Sequence, residues 1–247
     1  MAYVPLPDGG GLYVDRTEVT NRQFAAFVEA TGYVTTAERL GEPGLEEPSS
    51  AVFQARCCDP KTSDPYSWWS MKPGASWRHP QGAGSSWRSI PDHPVVHVSF
   101  ADAAAYAQWA GKQLPTEAEW IAAAKGGRNT NFPWGNSLEE GGAFHANTWQ
   151  GQFPQADNGN DGYRGLAPAR AYRPNDYGVY GVIGNVWEWT ASSARGGPGH
   201  LLKGGSFLCA DNYCAKYTVF SAQEAADDTT TNHIGFRCVR RLEPESR

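Results

Sequence analysis

Two cysteines in the last fifth of the chain have the type and spacing for metal or redox chemistry. Cys209 and Cys214 lie five positions apart in the stretch GGSFLCADNYC. A structural zinc site needs four nitrogen or sulfur ligands, and no second Cys-x-x-Cys or His pair lies nearby. The loop between them can bring their Cα atoms within about 6 Å, which suits a disulfide. Cu(I) binding is another alternative, since two soft thiolates can hold this ion and leave room for a third thiolate ligand. The remaining alternative is that the two thiols have no function.

The other cysteines do not indicate a disulfide framework. The chain has five cysteines, an odd number, whereas small secreted domains usually carry an even and denser set. Cys57 and Cys58 are adjacent in a polar stretch, where a disulfide between neighbours would be strained. We interpret them as incidental thiols.

A second stretch offers oxygen ligands instead of sulfur. Residues 147–163 read NTWQGQFPQADNGNDGY and have neither a helical nor a strand period. Asparagine, aspartate and main-chain oxygens in such loops are typical ligands of Ca²⁺. The stretch lacks the spacing and the closing glutamate of an EF-hand. Its composition therefore leaves a calcium site and a solvated turn as alternatives.

Several functional classes have no support in the sequence. The formal net charge is −5, and no run of Lys or Arg suggests a nucleic-acid or membrane partner. Apolar runs are far shorter than the roughly 20 residues that span a bilayer, and the N-terminus lacks a signal-peptide pattern. We therefore expect a soluble, cytoplasmic protein. Motifs of zinc proteases, serine hydrolases, P-loop proteins and dinucleotide-binding proteins are also missing.

Three helices that could position these side chains are marked by capping boxes. Their caps are Thr20, Ser99 and Thr116, each followed three residues later by a Gln, Asp or Glu. The cap hydroxyl can accept from an unpaired backbone N–H, and the later side chain can accept from the cap in return. We expect these helices to end at Gly32, Gly111 and Gly126.

The remaining secondary structure is predicted to be short strands and long irregular segments. The predicted strands are GLYVDRTEV (11–19), HPVVHVSF (93–100), NVWEWTAS (185–192), HLLKGGSF (200–207), AKYTVFSA (215–222) and IGFRCVRR (234–241). In a strand, His93 and His97 would lie about 13 Å apart, too far for a shared metal. Without an internal repeat or linker, we predict one α+β domain over residues 1–247.

Seven stretches in one order resemble the formylglycine-generating enzyme, or sulfatase-modifying factor, family. They are LPTEAEW (114–120), FPWGN (132–136), NTWQGQFP (147–154), YGVYGVIGNVWEWT (177–190), KGGSFLC (203–209), NYC (212–214) and GFRC (235–238). With residues 20–39, 76–82 and 91–100, the resemblance covers nearly the whole chain. LPTEAEW and GNVWEW mark only the broad superfamily. The cysteine pair is more specific, because it resembles the catalytic pair of the oxidase.

The resemblance implies a C-type-lectin-like topology with much irregular structure and a copper-dependent oxidase. Such an enzyme uses O₂ to convert a cysteine in a sulfatase CxPxR motif to Cα-formylglycine. Cys209 and Cys214 would hold Cu(I), and the substrate thiolate would join as a third ligand. O₂, the co-substrate, would bind beside Ser206 and Trp187, with Tyr213 lining the site.

The resemblance also implies two calcium sites. The first would use the side chains of Asn147 and Asp161 with the carbonyls of Thr148 and Tyr163. The second would use Glu188 with the carbonyls of Gly184 and Val186. At this second site, Gly181 stands where the family has an asparagine ligand.

One segment departs from the family pattern and leaves the substrate open. In residues 215–231, Thr218 and Ala222 replace arginines that the resemblance places near the substrate groove. We predict a cysteine-containing peptide or unfolded sulfatase as the partner of a monomeric enzyme, with no nucleic acid or membrane. The alternatives are an oxidase of the same fold that acts on another thiol, and a non-catalytic, C-type-lectin-like binding module.

Overall fold

The computed structural model describes residues 1–7, 9–39, 47–54 and 68–242. Cys57 and Cys58 lie outside these residues, so their interpretation as incidental thiols stays a prediction. The helices of the described chain are α1 (Asn21–Thr31), α2 (Thr36–Arg39), α3 (Phe100–Trp109), α4 (Glu117–Lys125) and a 3-10 helix (Trp87–Ser89). Within the described ranges, no helix has both the length and the apolar character needed to cross a bilayer.

The predicted capping boxes are confirmed. Thr20, Ser99 and Thr116 each accept from the backbone N–H three residues later, and the side chain there accepts from the cap's own N–H. These reciprocal bonds satisfy N–H groups that would otherwise lack a partner at the helix start. Helices α1 and α4 end at the predicted glycines in left-handed conformation, whereas the C-cap of α3 is Ala110 and not Gly111.

Short strands form the remaining regular structure. They are β1 (Ala2–Pro5), β2 (Gly11–Val14), β3 (Ser49–Phe53), β4 (Trp69–Pro73), β5 (Glu139–Glu140), β6 (Ala143–Phe144), β7 (Trp187–Ser193), β8 (His200–Lys203), β9 (Ala222–Ala225), β10 (Ile234–Gly235) and β11 (Val239–Arg241). One sheet has the order β1-β2-β11 and another the order β10-β7-β8-β9, in which β10 is parallel to β7. Strands β3–β4 and β5–β6 form two-stranded pairs. The α+β prediction is confirmed.

The predicted strand over residues 93–100 is wrong. Val95 donates its N–H to the carbonyl of Val19, whereas His97 donates to the carbonyl of Thr231. Neighbouring amides therefore bond to different segments instead of one partner strand. His97 also has a φ of 60°, which interrupts the extended backbone. The valines are nevertheless fully buried, so their apolar run reflects core packing.

The strand predictions near the C-terminus hold only in part. Strand β8 falls within the predicted range 200–207, and β7 overlaps the predicted range 185–192 but continues to Ser193. Residues 215–221 are irregular, with a turn at 219–220, and β9 begins only at Ala222. The predicted strand over 234–241 is divided into β10 and β11, which join different sheets. Each of the two sheets thus contains only a short part of the apolar stretch 234–241.

Several of these elements meet at a buried ion pair. The guanidinium of Arg237 donates through Nε and Nη2 to the two carboxylate oxygens of Glu188, both at 2.7 Å. Each side chain is only 1% exposed. Trp120 of α4 donates to the same carboxylate, and Arg237 also reaches the carbonyls of Tyr180 and Gly181. The pair therefore connects α4, β7, the loop before β7 and the chain after β10.

A second carboxyl group, that of Glu18, lies beside this pair. Its side chain is fully buried and accepts a hydrogen bond from Asn185 at 2.9 Å. Burial raises the pKa of Glu18 to about 7, against the opposing effect of the Arg237 charge. Folded Glu18 thus holds its proton more tightly than the unfolded chain does. Its contribution to stability is therefore largest at low pH and falls as the pH rises through about 7.

We expect Arg237→Met to destabilise the fold by about 3–5 kcal/mol, because it leaves the Glu188 carboxylate buried without its cation. Urea unfolding at neutral pH measures this change. Arg22→Met is the matched control, since the Arg22–Asp92 pair is 65% and 68% exposed. It should change stability by less than about 1 kcal/mol. Equal effects of the two substitutions would contradict the role assigned to the buried pair.

Candidate active site

The two predicted cysteines are brought together by a compact turn after β8. Gly204 and Gly205 have φ values of 95° and 80°, which side chains with a Cβ rarely adopt. The chain then bends so that Cys209 donates its N–H to the carbonyl of Ser206 at 3.0 Å. Cys214 closes a second turn on the carbonyl of Ala210, also at 3.0 Å. These turns place the two Sγ atoms 3.9 Å apart.

This separation distinguishes between the alternatives for the pair. A disulfide has an S–S distance of about 2.05 Å, so the 3.9 Å separation excludes that bond in this structure. Metal–thiolate bonds are roughly 2.3 Å, so both sulfurs can reach one ion between them. No group of three or more Cys, His, Asp or Glu side chains in the described ranges is placed to hold a metal. The site thus suits an ion that needs only two protein thiolates, as Cu(I) does.

The two thiols differ in protonation. Cys209 is buried and donates a hydrogen bond to the sulfur of Cys214. That bond lowers the pKa of Cys214 to about 6, with help from the backbone N–H and the charge of Lys216. The same bond and burial raise the pKa of Cys209. At neutral pH the pair therefore holds one thiolate, on the more accessible Cys214.

All five predicted catalytic residues line one cleft of about 500 Å³, with Cys209 and Cys214 on its wall. Ser206 and Trp187 are almost fully buried, and the backbone N–H of Ser206 points to the Cys209 sulfur at 3.4 Å. Tyr213 is 55% exposed, and its ring stacks on Phe153. The predicted residues therefore form the floor and one side of an open cleft.

The cleft also contains residues that the motifs did not indicate. Trp69, Gln223 and His233 contribute to its walls. They come from β4, β9 and the turn before β10, far apart in the sequence. Lys216 lies at the cleft as well, and its proximity to Cys214 in the sequence was the one available signal. The altered segment 215–231 thus does line the cleft.

The four residues of the first predicted calcium site lie together. Asp161 accepts hydrogen bonds from the backbone N–H groups of Thr148 and Tyr163, at 2.9 and 3.0 Å. Asn147 uses its amide nitrogen for the carbonyl of Gly165, which leaves its amide oxygen as the end able to face a cation. Burial raises the pKa of Asp161, and a nearby carboxylate raises it further. A cation would offset the unfavourable burial of this charge, so the residues fit Ca²⁺.

The residues of the second predicted calcium site do not fit an ion. Both oxygens of Glu188 already accept from Arg237, which supplies the positive charge there. A Cβ on Gly181 would lie 2.7 Å from a carboxylate oxygen of Glu18, so an asparagine would not fit without movement. Gly184 and Val186 lie in the tightly packed segment that enters β7. The guanidinium of Arg237 thus supplies the positive charge that the resemblance assigns to calcium.

Comparison with known proteins agrees with the motifs. Residues 9–242 match the family described as sulfatase-modifying factor enzyme 1-like domain. The chain belongs to this family. The chain is 46% identical to the formylglycine-generating enzyme of Thermomonospora curvata, over 92% of this chain and 80% of that protein.

One further relative and one solved structure limit what membership in the sulfatase-modifying factor family implies. A Mus musculus protein named inactive C-alpha-formylglycine-generating enzyme 2 is 38% identical over 92% of this chain and 74% of its own length. The structure of PvdO from Pseudomonas aeruginosa superposes with a TM-score of 0.65 at 23% identity, covering 97% of this chain and 90% of that one. The family and the fold are therefore confirmed, and the family contains both a protein named as an enzyme and one named as inactive.

We expect iodoacetamide to alkylate Cys214 faster than Cys209 in the reduced, metal-free protein at pH 7, because the thiolate is on Cys214. The alkylation rate should rise through a midpoint near the Cys214 pKa of about 6. Cys209→Ala should move this midpoint upward by removing the hydrogen-bond donor. Peptide mapping by mass spectrometry assigns the modified site, and buried Cys238 is the internal control. Preferential labelling of Cys209 would contradict the assignment.

Proposed function

We propose that this protein is a formylglycine-generating oxidase that converts a peptide cysteine in a CxPxR-type motif to Cα-formylglycine. The decisive observation is the reduced Cys209–Cys214 pair, with sulfurs 3.9 Å apart, at the wall of an open cleft beside Ser206 and Trp187. The name of the Thermomonospora curvata relative supports this chemistry. All of these residues come from one chain, so a monomer would suffice.

Copper is the cofactor that this donor set supports. Cys209 and Cys214 would hold Cu(I), because thiolates are soft ligands and the pair provides two of them. Copper would supply the electron-transfer chemistry that O₂ needs in order to oxidise the substrate cysteine. Cys214 contributes a thiolate at neutral pH without an added base, since Cys209 and Lys216 already lower its pKa.

The chain itself would bind the peptide and control access to the thiols. Trp69, Phe153 and Tyr213 give the cleft an aromatic wall on which apolar parts of a peptide can pack. Ser206 and Trp187, almost fully buried at the floor, would leave room next to Cys209 only for a small molecule. That space is where we place O₂. The open side of the cleft would admit the peptide cysteine.

Two alternatives keep the fold and change the function. Loss of the family arginines at Thr218 and Ala222 favours an oxidase that acts on another thiol, because Ala215, Lys216 and Gln223 of the same altered segment line the cleft. The inactive relative favours a binding module without turnover. A binding module, however, has no need for two free thiols beside Ser206 and Trp187.

Calcium is a second proposed cofactor, with a structural role. Asn147, Thr148, Asp161 and Tyr163 offer one carboxylate, one amide oxygen and main-chain carbonyls from a loop. The loop is continuous with the cleft, because Trp149 donates its N–H to the carbonyl of Cys209 at 3.0 Å. A bound cation would therefore stabilise the turn that carries the thiols.

We expect the wild-type protein to bind one Cu(I) tightly and then to oxidise a CxPxR peptide in air. Titration against a competing chelator measures binding, and mass spectrometry detects the mass decrease when the peptide CH₂SH becomes CHO. In this step the sulfur leaves as hydrogen sulfide, water supplies the aldehyde oxygen, and the two electrons pass to O₂. Cys209→Ser and Cys214→Ser should each reduce both signals to background, because one thiolate cannot hold the ion alone.

Cys238→Ala is the matched control, since it removes a thiol that lies outside the cleft. It should retain copper binding and turnover. Tight copper binding without peptide turnover would favour another thiol substrate. Absence of copper binding in the wild type would overturn the oxidase proposal in favour of the binding module.

We expect Ca²⁺ to raise the melting temperature of the wild type by about 5–10 °C at a concentration near 100 times its Kd. Asp161→Asn should abolish this shift, because it removes the one carboxylate among the proposed ligands. Asp157→Asn is the control, since Asp157 instead accepts hydrogen bonds within its own loop. Differential scanning fluorimetry with and without EDTA measures the shift. An equal shift in Asp161→Asn would argue against this calcium site.

A further inference from the structure

A histidine in the cleft has no part in the chemistry proposed so far. His233 lies in the turn before β10 and lines the cleft with Trp69, Trp187 and Gln223. It is 8% exposed, so little of its ring is in contact with solvent. The ring is nevertheless close to the space that a peptide would enter.

The position of this ring is held by three contacts. The carbonyl of His233 accepts the N–H of Trp187 at 2.9 Å, which ties its backbone to the start of β7. The ring packs against Trp69 with centroids 4.9 Å apart. Its Nδ1 atom lies 2.7 Å from the hydroxyl of Thr231. The imidazole therefore cannot turn freely, and Nε2 has a set direction.

The hydrogen bond to Thr231 determines which ring nitrogen carries the proton. The Thr231 oxygen already receives the backbone N–H of His233 at 3.5 Å. Within the described chain, Nδ1 is the one hydrogen-bond partner recorded for the hydroxyl hydrogen. With the hydroxyl as the donor to Nδ1, the proton of the neutral ring is on Nε2.

The Nε2–H group is a neutral donor without a partner in the described chain. Burial lowers the pKa of His233 to about 3, and the nearby ring of His97 lowers it further. The imidazole thus stays neutral at physiological pH. A neutral N–H on a largely buried ring at the cleft suits a neutral acceptor, and an extended peptide presents such acceptors as main-chain carbonyls along its length. A substrate guanidinium offers donors only and could not pair with it.

We propose that Nε2–H of His233 binds a main-chain carbonyl of the substrate peptide, and that Thr231 is the positioning residue that keeps this hydrogen on Nε2. The inference rests on the proposed peptide substrate. It adds a sequence-independent contact, which would hold the backbone of the peptide and leave its side chains to the aromatic wall.

The test measures binding of a fluorescent CxPxR peptide whose cysteine is replaced by serine, so that no turnover occurs. His233→Phe keeps an aromatic ring but removes the donor, and should weaken binding by about tenfold. His233→Gln places an amide N–H near the position of Nε2 and should retain the affinity within about threefold. Thr231→Val should weaken binding nearly as much as His233→Phe, because the ring then loses the hydroxyl that fixes its tautomer.

Two controls separate a binding role from a structural one. Thr230→Val alters the neighbouring threonine, whose hydroxyl accepts from Ser50 and not from His233. It should leave peptide affinity unchanged. In turnover assays, Thr231→Val should raise KM by about the same factor as the Kd while kcat and Cu(I) affinity stay unchanged. A loss of kcat and copper affinity together with peptide affinity would overturn the binding role.

The outcomes also distinguish this inference from the proposed function. Equal peptide affinity of His233→Phe and wild type would overturn the contact and leave the oxidase intact. Failure of the wild type to bind the peptide would overturn both. Long-range ¹H–¹⁵N NMR of the wild-type ring provides a test that needs no variant. A proton on Nδ1 would contradict the role of Thr231.

Discussion

The buried ion pair of Glu188 and Arg237 is the interaction on which the irregular parts of this fold depend. Charges removed from water are tolerated only when their hydrogen bonds are satisfied, and here both carboxylate oxygens are occupied. The pair fixes the start of β7. Because side chains alternate along a strand, the neighbouring Trp187 points to the opposite side and contributes to the cleft. Two adjacent residues of β7 thus have different roles, because Trp187 lines the cleft and Glu188 forms the buried ion pair.

The cleft depends on a second constraint, which is backbone geometry. A Cβ on Gly205 would lie 2.9 Å from the Cβ of Tyr217, so glycine allows the turn to pack directly against the segment after Cys214. This contact brings the two ends of the cysteine stretch together. The difference between the thiols follows from it, since both line the cleft but Cys209 is buried whereas Cys214 is more exposed and lies beside Lys216. Local packing thereby sets which sulfur carries the charge.

Much of the site was predictable because its residues lie in short, continuous stretches. Cys209, Cys214 and Ser206 belong to two successive turns of one short stretch, and the first calcium loop is one segment whose residues do lie together. The second calcium site shows the limit of such prediction. Its residues are present in the sequence, but two side chains reach the site from distant segments. Arg237 pairs with the Glu188 carboxylate, and Glu18 fills the space beside Gly181.

The sequence by itself determined the helix starts, the family and the identity of the thiol pair. These properties depend on residues within a few positions of one another, where hydrogen-bond geometry and chain connectivity act directly. The tertiary structure alone decided that residues 93–100 form no strand, that the thiols lie 3.9 Å apart and unbonded, and that His233 joins the cleft. Each of these outcomes depends on contacts between segments distant in sequence. Only packing of the whole chain can select such contacts, because no local pattern encodes which segments will meet.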